Sequence, residues 1–378
     1  MIVVEIAFWV SVALIVWTHV GYPLALLAVG RLGRGPREAQ AEHLPEVSLI
    51  IAAHDEEAVI EAKVANALAL DYPRDQLEVI VASDGSTDRT VELARAAGAD
   101  LVLDLRRAGK VPAQNAAAEQ ARGEVLAFSD ANAIWESDAL GRLVAPFADP
   151  QVGYVCGQAQ FTRRAAAGGT ANEEGAYWRL ELKLREAESR LAGVTGGNGA
   201  IYAVRSDAYV PLGPAASHDL SFPFLLTKAG WRCLYVPEAR AEEPMVATIE
   251  GEFARKRRMM RGIWDEVVRD GMLSPRGYGL VYGWQIASHR VLRYASPALH
   301  LVALGANVAL AGDSAVYALT LAGQLGLLAA AALAGALPLR PLRLARYYVL
   351  TTASIAAGLW DRIRLGTPGA WEKAEGTR

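Results

Sequence analysis

Residues Val125–Trp135 read VLAFSDANAIW. The apolar residues Val125 to Phe128 run without a break into Ser129-Asp130-Ala131-Asn132, and the chain then turns apolar again. A short continuous apolar run is the pattern of a strand covered on both faces, as in a parallel sheet with helices above and below it. A carboxylate and an amide, two positions apart, stand where that strand ends.

Two earlier runs end in the same way. VSLIIAAH (Val47–His54) leads into Asp55-Glu56-Glu57, and LEVIVASDGS (Leu77–Ser86) ends in Ser83-Asp84-Gly85-Ser86. A weaker strand, ADLVLDL, lies at Ala99–Leu105. Between the strands, EAVIEAKVANALAL, DRTVELARAAG and VPAQNAAAEQARG have helical spacing; Thr87 or Asp88 can cap the second, and Gly98 stops it. Strand and helix in alternation predict an α/β fold with a mainly parallel sheet.

Ligands of such sheets bind beyond the carboxyl ends of the strands. Each acidic cluster alone would serve as a helix cap or turn. Three on one edge repel one another unless a cation sits among them. Oxygen donors favour Mg²⁺ or Mn²⁺, which bind through one or two carboxylates together with waters and substrate phosphates. Asp130 and Asn132 are the expected ligands. The chain has no GxGxxG after a strand and no GxxxxGK[ST], so phosphate charge falls to the metal and to lone bases such as Lys110.

Composition narrows the class. The 378 residues are 52% hydrophobic and 21% charged, with net charge −3, which gives no basic field for nucleic acid. Cys156 and Cys233, the only cysteines, form no CxxC pair, and the six histidines show no zinc spacing. The apolar excess lies at the ends. Ile2–Val29 is long enough for a spanning helix and lacks the basic start and short core of a cleaved signal peptide. Arg31, Arg34 and Arg37 follow it, which places what comes after in the cytoplasm. A second apolar region from Ser296, broken at Gly312-Asp313-Ser314 and flanked by arginines on both sides, reads as a membrane hairpin. Tyr347–Trp360 is short for a span and reads as interfacial or re-entrant, with a fourth span as the alternative.

VSLIIAAHDEE, VIVASDGSTDRT, GKVPAQNAAAEQARGEVLAFSDAN and DPQVGYVCGQ, in that order, resemble a family 2 glycosyltransferase. The similarity continues through EGAYWRLELKLREAESRLAGVTGGNGAIYAVR and HDLSFPFLLTKAGWRCLYVPEARAEE, with weaker similarity in the hairpin and the tail PGAWEK. The resemblance implies a GT-A fold (a nucleotide-diphospho-sugar transferase, Rossmann-like), a UDP- or GDP-sugar donor, Mg²⁺ or Mn²⁺, and inversion at the anomeric carbon. Carried over by position, Asp55, Glu57 and Asp84 resemble residues beside the nucleotide, and Lys110 one near the diphosphate. Asp130 and Asn132 look like a DxD metal motif with Asn132 as a departure. His218-Asp219 resembles an acidic pair whose second member, here Asp219, is the catalytic base; an N-cap role is compatible with that. Gly197 and Asn198 lie where the backbone nears the acceptor. Arg258, Arg261 and Trp264 partly match an Arg/Trp motif that would serve the diphosphate or the acceptor.

The expected organisation is an N-terminal transmembrane helix over 1–30, a linker over 31–46 and a cytoplasmic GT-A domain over 47–270. An interfacial segment over 271–295, a transmembrane hairpin over 296–338, and an interfacial or re-entrant helix with a cytoplasmic tail over 339–378 complete it. The expected function is transfer of a sugar to a lipid-linked or growing polysaccharide acceptor at a bacterial-type inner membrane. Export of polymer would need homo-oligomers or partners, since so few segments enclose no pore. Single-sugar transfer to a polyprenyl-phosphate lipid is the alternative, and a nucleotidyltransferase a remoter one.

Overall fold

The computed structural model describes residues 1–33, 44–162, 171–244, 249–337 and 339–366. Most of the expected linker and the tail PGAWEK lie outside these residues. The chain opens with α1 (Ile2–Val16), a π-helical turn at Trp17–Gly21 and α2 (Tyr22–Val29), which run on as one rod. Strand and helix then alternate: β1 (Val47–Ala53), α3 (Ile60–Leu68), β2 (Leu77–Asp84), α4 (Thr90–Ala96), β3 (Leu101–Leu105), α5 (Lys110–Gln120) and β4 (Val125–Asp130). The second half holds β5 (Ile134–Trp135), α6 (Ala139–Val144), β6 (Val152–Thr162), α7 (Ala171–Leu191), β7 (Tyr202–Arg205), α8 (His218–Lys228) and β8 (Arg232–Pro244). The last part is helical: α9 (Ile249–Val268), α10 (Leu280–Gln285), a π-helical turn at Ile286–Val291, α11 (Leu292–Leu310), α12 (Ala315–Leu333) and α13 (Arg340–Leu365).

Among the described residues, eight strands form one sheet in the order β3-β2-β1-β4-β7-β6-β8-β5. β1 pairs in parallel with both β2 and β4, and β2 with β3. β7 runs antiparallel between β4 and β6, so the sheet is mixed beyond β4. Every residue of β1 is buried, because helices cover both faces, and this is why its run is apolar without alternation. The chain crosses from β3, at the far side of β2, to β4 on the other side of β1. That reversal opens a crevice at the carboxyl ends of β1 and β4.

The expected helices at the two ends are present. Among the described residues, Ile2–Val29 and Ala315–Leu333 are long and apolar enough to cross a membrane. α11 and α12 are joined at Gly312-Asp313-Ser314, where the break of the expected hairpin falls, and the rod leading into α11 begins at Leu280, within the segment expected to be interfacial. α13 is longer than the apolar stretch Tyr347–Trp360, because arginine-bearing turns extend it at both ends. It lies along α9, where Arg257 pairs with Asp361 and Arg362 makes a two-bond pair with Asp265.

Candidate active site

β4 ends at Asp130, and the chain turns at once: Ala133 N–H donates to the Asp130 carbonyl at 3.2 Å before β5 starts. α3 clamps this turn. Asn66 donates to the Trp135 carbonyl and accepts from the Trp135 N–H, both at 2.9 Å. Lys63, fully buried, donates to the Ala133 carbonyl at 2.6 Å and lies over the Trp135 ring at 5.1 Å. Burial lowers the Lys63 ammonium to about 7, against the pull of Asp130. The carboxylate and the amide therefore sit two apart on a braced turn, half-buried at the sheet edge.

Asp84, at the end of β2, is buried. Its Oδ1 accepts from Ala108 N–H at 2.7 Å and from Gly109 N–H at 3.0 Å, and its Oδ2 from Gly109 N–H at 3.0 Å. Gly109 has φ 113°, a backbone that residues with a Cβ rarely adopt. Asp84 thus shapes the turn that launches α5 and aims its first residue, Lys110. The Lys110 ammonium pairs with Asp130. Burial pulls it down, but the charge and hydrogen bond of Asp130 outweigh this and hold it above its ordinary range. Gly199 completes the place: a Cβ there would lie 3.4 Å from Lys110 Nζ and 3.5 Å from Asp130 Oδ2.

Asp219 sits in the first turn of α8, lining one pocket with Gly109, Lys110 and Gly199. Its carbonyl accepts from Gly197 N–H at 2.6 Å, which holds the 196–199 segment against α8. Asn198 is spent on that segment's shape, bonding Gly157 O and the N–H groups of Ala200 and Ile201. Asp55, at φ 48°, accepts from Thr87 N–H at 2.7 Å, and Glu57 accepts from Arg89 N–H at 3.2 Å. These two acids tie the β1 end to the loop after β2.

Lys110 and Asp219 thus line one crevice, with Asp130 paired to Lys110 and Asp84 holding the turn that leads into Lys110. Asn132 stands on the Asp130 turn. Arg261 donates to the carbonyls of Gly366 and Leu365, and Trp264 Nε1 to the Ile355 carbonyl at 3.4 Å. Both face α13 rather than this crevice. Arg258 lies on the same helix.

Sequence reading passed over several residues. Lys63 shares the inward helix face of Ile60, Val64 and Ala67, and a lysine on an apolar stripe was the available signal. Glu243, at the end of β8, is pushed up to about 7 by burial and then by the charge of Asp130. Glu266 accepts from Ser217 N–H (3.1 Å), Ser217 Oγ (2.7 Å) and Ser221 Oγ (2.6 Å) at the start of α8. Both carboxyls are distant in sequence from the motifs they serve, and their spacing carried no sign of it.

The donors around Asp130 suit a hard divalent cation. They are oxygen atoms, and the glycine leaves room beside Oδ2. Among the described residues no group of three or more His, Cys, Asp or Glu forms a ready metal cage, so an ion would rely on Asp130, Asn132 and the ligand's own phosphates.

A mixed sheet with acids at this reversal point is the GT-A fold of nucleotide-diphospho-sugar transferases. A mannosyltransferase from Pyrobaculum calidifontis, solved in complex with GDP-Man and Mn²⁺, shares it over 95% of this chain and 99% of its own, with TM-score 0.71 and 25% identity. The family model described as Glycosyl transferase family 2 matches residues 48–205, and the chain belongs to that family. Beta-monoglucosyldiacylglycerol synthase of Nostoc sp. (strain PCC 7120) is 30% identical over 302 residues, 72% of this chain. Poly-beta-1,6-N-acetyl-D-glucosamine synthase of Staphylococcus aureus is 24% identical over 242 residues, 62% of this chain. The chain spans 62% of the first relative's length and 58% of the second's.

Proposed function

We propose that the chain is an inverting, membrane-bound glycosyltransferase that moves a sugar from a UDP- or GDP-sugar to a lipid-linked or growing polysaccharide acceptor. The observation that carries this reading is the crevice lined by both Lys110, which pairs with Asp130, and Asp219. The relatives' names point to both kinds of acceptor, a diacylglycerol lipid and a polysaccharide. The apolar ends of the chain support a site held at a bilayer.

In this reading Lys110 sets a fixed positive charge where the diphosphate lies. Asp130 and Asn132 would hold Mg²⁺ or Mn²⁺, which when bound neutralises charge on the departing diphosphate. The α3 clamp keeps their turn from moving as the ligand enters. Asp219 takes the proton from the acceptor hydroxyl, whose oxygen attacks the anomeric carbon from the face opposite the diphosphate. The glycosidic bond forms as the bond to the diphosphate breaks, so the anomeric centre inverts.

Asp219→Asn tests the assignment. Donor binding should persist while transfer falls by about 10²–10⁴-fold, the usual worth of a general base. Native membranes incubated with radiolabelled UDP- and GDP-sugars supply the assay, and near-normal transfer by the variant would refute the role. One diacylglycerol-type acceptor against a growing chain is decided by product length from the purified protein.

A further inference from the structure

The pocket beside Lys110 and Asp219 has an inner wall that the proposed reaction does not use. Tyr202 on β7 and His218 at the start of α8 form it, with Gln114 of α5 behind them. Gln114 Nε2 donates to Tyr202 Oη at 3.1 Å, and Tyr202 Oη lies 2.8 Å from His218 Nδ1. A phenol has one hydrogen. His218 Nδ1 is the acceptor for that hydrogen among the described residues, and the tautomer that satisfies it carries the imidazole proton on Nε2. His218 is 4% exposed, and among the described residues Nε2 has no partner. Burial, then the charge of Lys110, push its pKa down to about 3, so the ring is neutral. Phe222 and Phe128 enclose it at centroid distances of 4.5 and 5.3 Å and fix its plane.

A buried donor without an acceptor is costly, and such an atom calls for an explanation. A neutral N–H suits an uncharged oxygen, while the charged diphosphate already has Lys110. The group bound between a diphosphate and a general base is the sugar in transit. Building on the glycosyltransferase reading, we propose that His218 Nε2–H donates to a hydroxyl oxygen of the transferred sugar and thereby helps set which sugar the protein accepts. Sites that hydrogen-bond a substrate hydroxyl discriminate strongly against analogues lacking it, because their own polar group is then left unpaired.

The experiment uses the full chain in detergent with Mn²⁺. Calorimetry compares bare UDP and GDP with UDP-glucose, UDP-N-acetylglucosamine, GDP-mannose and deoxy-sugar analogues of whichever donor binds. His218→Phe keeps the aromatic packing and removes the donor. It should leave bare UDP or GDP binding within about twofold, weaken the intact donor about 10- to 100-fold, and erase the preference for the parent sugar over one deoxy analogue. His218→Gln, whose amide can reach the Nε2 position, should restore part of that preference. Tyr202→Phe covers the case in which the first variant does not fold: freeing Nδ1 should blunt the same preference while bare nucleotide binding stays. Unchanged sugar preference in a folded His218→Phe or Tyr202→Phe overturns the proposal alone. A wild-type chain that binds no nucleotide sugar overturns the underlying reading with it.

Discussion

Glu266 is a carboxyl placed where a charge is expensive. Burial pushes it up to about 8 despite hydrogen bonds from Ser221 and Ser217. In the unfolded chain it ionises near its ordinary 4.5. Between those values the unfolded state has shed a proton that the folded state keeps, so this residue's contribution makes stability fall as pH rises from about 4.5 to about 8. Glu266→Gln cannot titrate. Melting temperatures taken at about pH 5 and pH 8 should therefore drop less in the variant than in the wild type, and equal drops would show that Glu266 ionises normally. Legibility at this scale was uneven. Asp130 could be picked out because a strand end fixes where its side chain goes, Lys110 as a lone base for phosphate charge, and Asp219 only through the family resemblance. Asp84 could be picked out as a buried strand-end acid, but its engagement with the Ala108 and Gly109 amides depends on a turn that no pattern encodes.

At the scale of elements, the site depends on how closely the 196–199 segment approaches its neighbours. A Cβ on Gly197 would meet Tyr154 Oη at 2.0 Å and Cys156 Cβ at 3.2 Å. Tyr154 is fully buried. Gly197→Ala should cost about 1–3 kcal/mol and loosen the Gly197 N–H bond to the Asp219 carbonyl. Denaturant unfolding checks the first effect and transfer rate the second, and a wild-type midpoint would exclude this packing. The strands and crossover helices of the parallel half could be read from sequence, since burial on both faces leaves an unmistakable apolar run. The antiparallel entry of β7 could not: Tyr202–Arg205 is too short to reveal its direction. The apolar stretch Tyr347–Trp360 marks only the middle of α13, whose last turns are held to α9 by Arg257–Asp361 and Arg362–Asp265, partners far apart in sequence.

For the whole molecule, the proposed orientation sets the α11–α12 turn on the opposite side of the bilayer from the sheet. The two native cysteines are both fully buried, so a new one reports cleanly. Asp313→Cys should react with a membrane-impermeant maleimide in intact cells and stay unlabelled in sealed inverted vesicles; the reverse pattern would rule out the orientation. The two π-helical turns carry a further consequence. Trp17 in the first donates to Ser288 in the second at 3.1 Å, and Tyr22, just past the first turn, and His289, within the second, both reach Glu188 of α7, at 2.5 and 2.6 Å. Each residue advances a helix by roughly 100°. Losing a single residue from the first turn, or from the second ahead of His289, would swing everything past it about a quarter of the way around the rod, carrying Tyr22 or His289 off the shared carboxylate. The phase of the apolar rods and the seat of the sugar-handling domain are therefore inherited together, and length changes are tolerable only outside that meeting point.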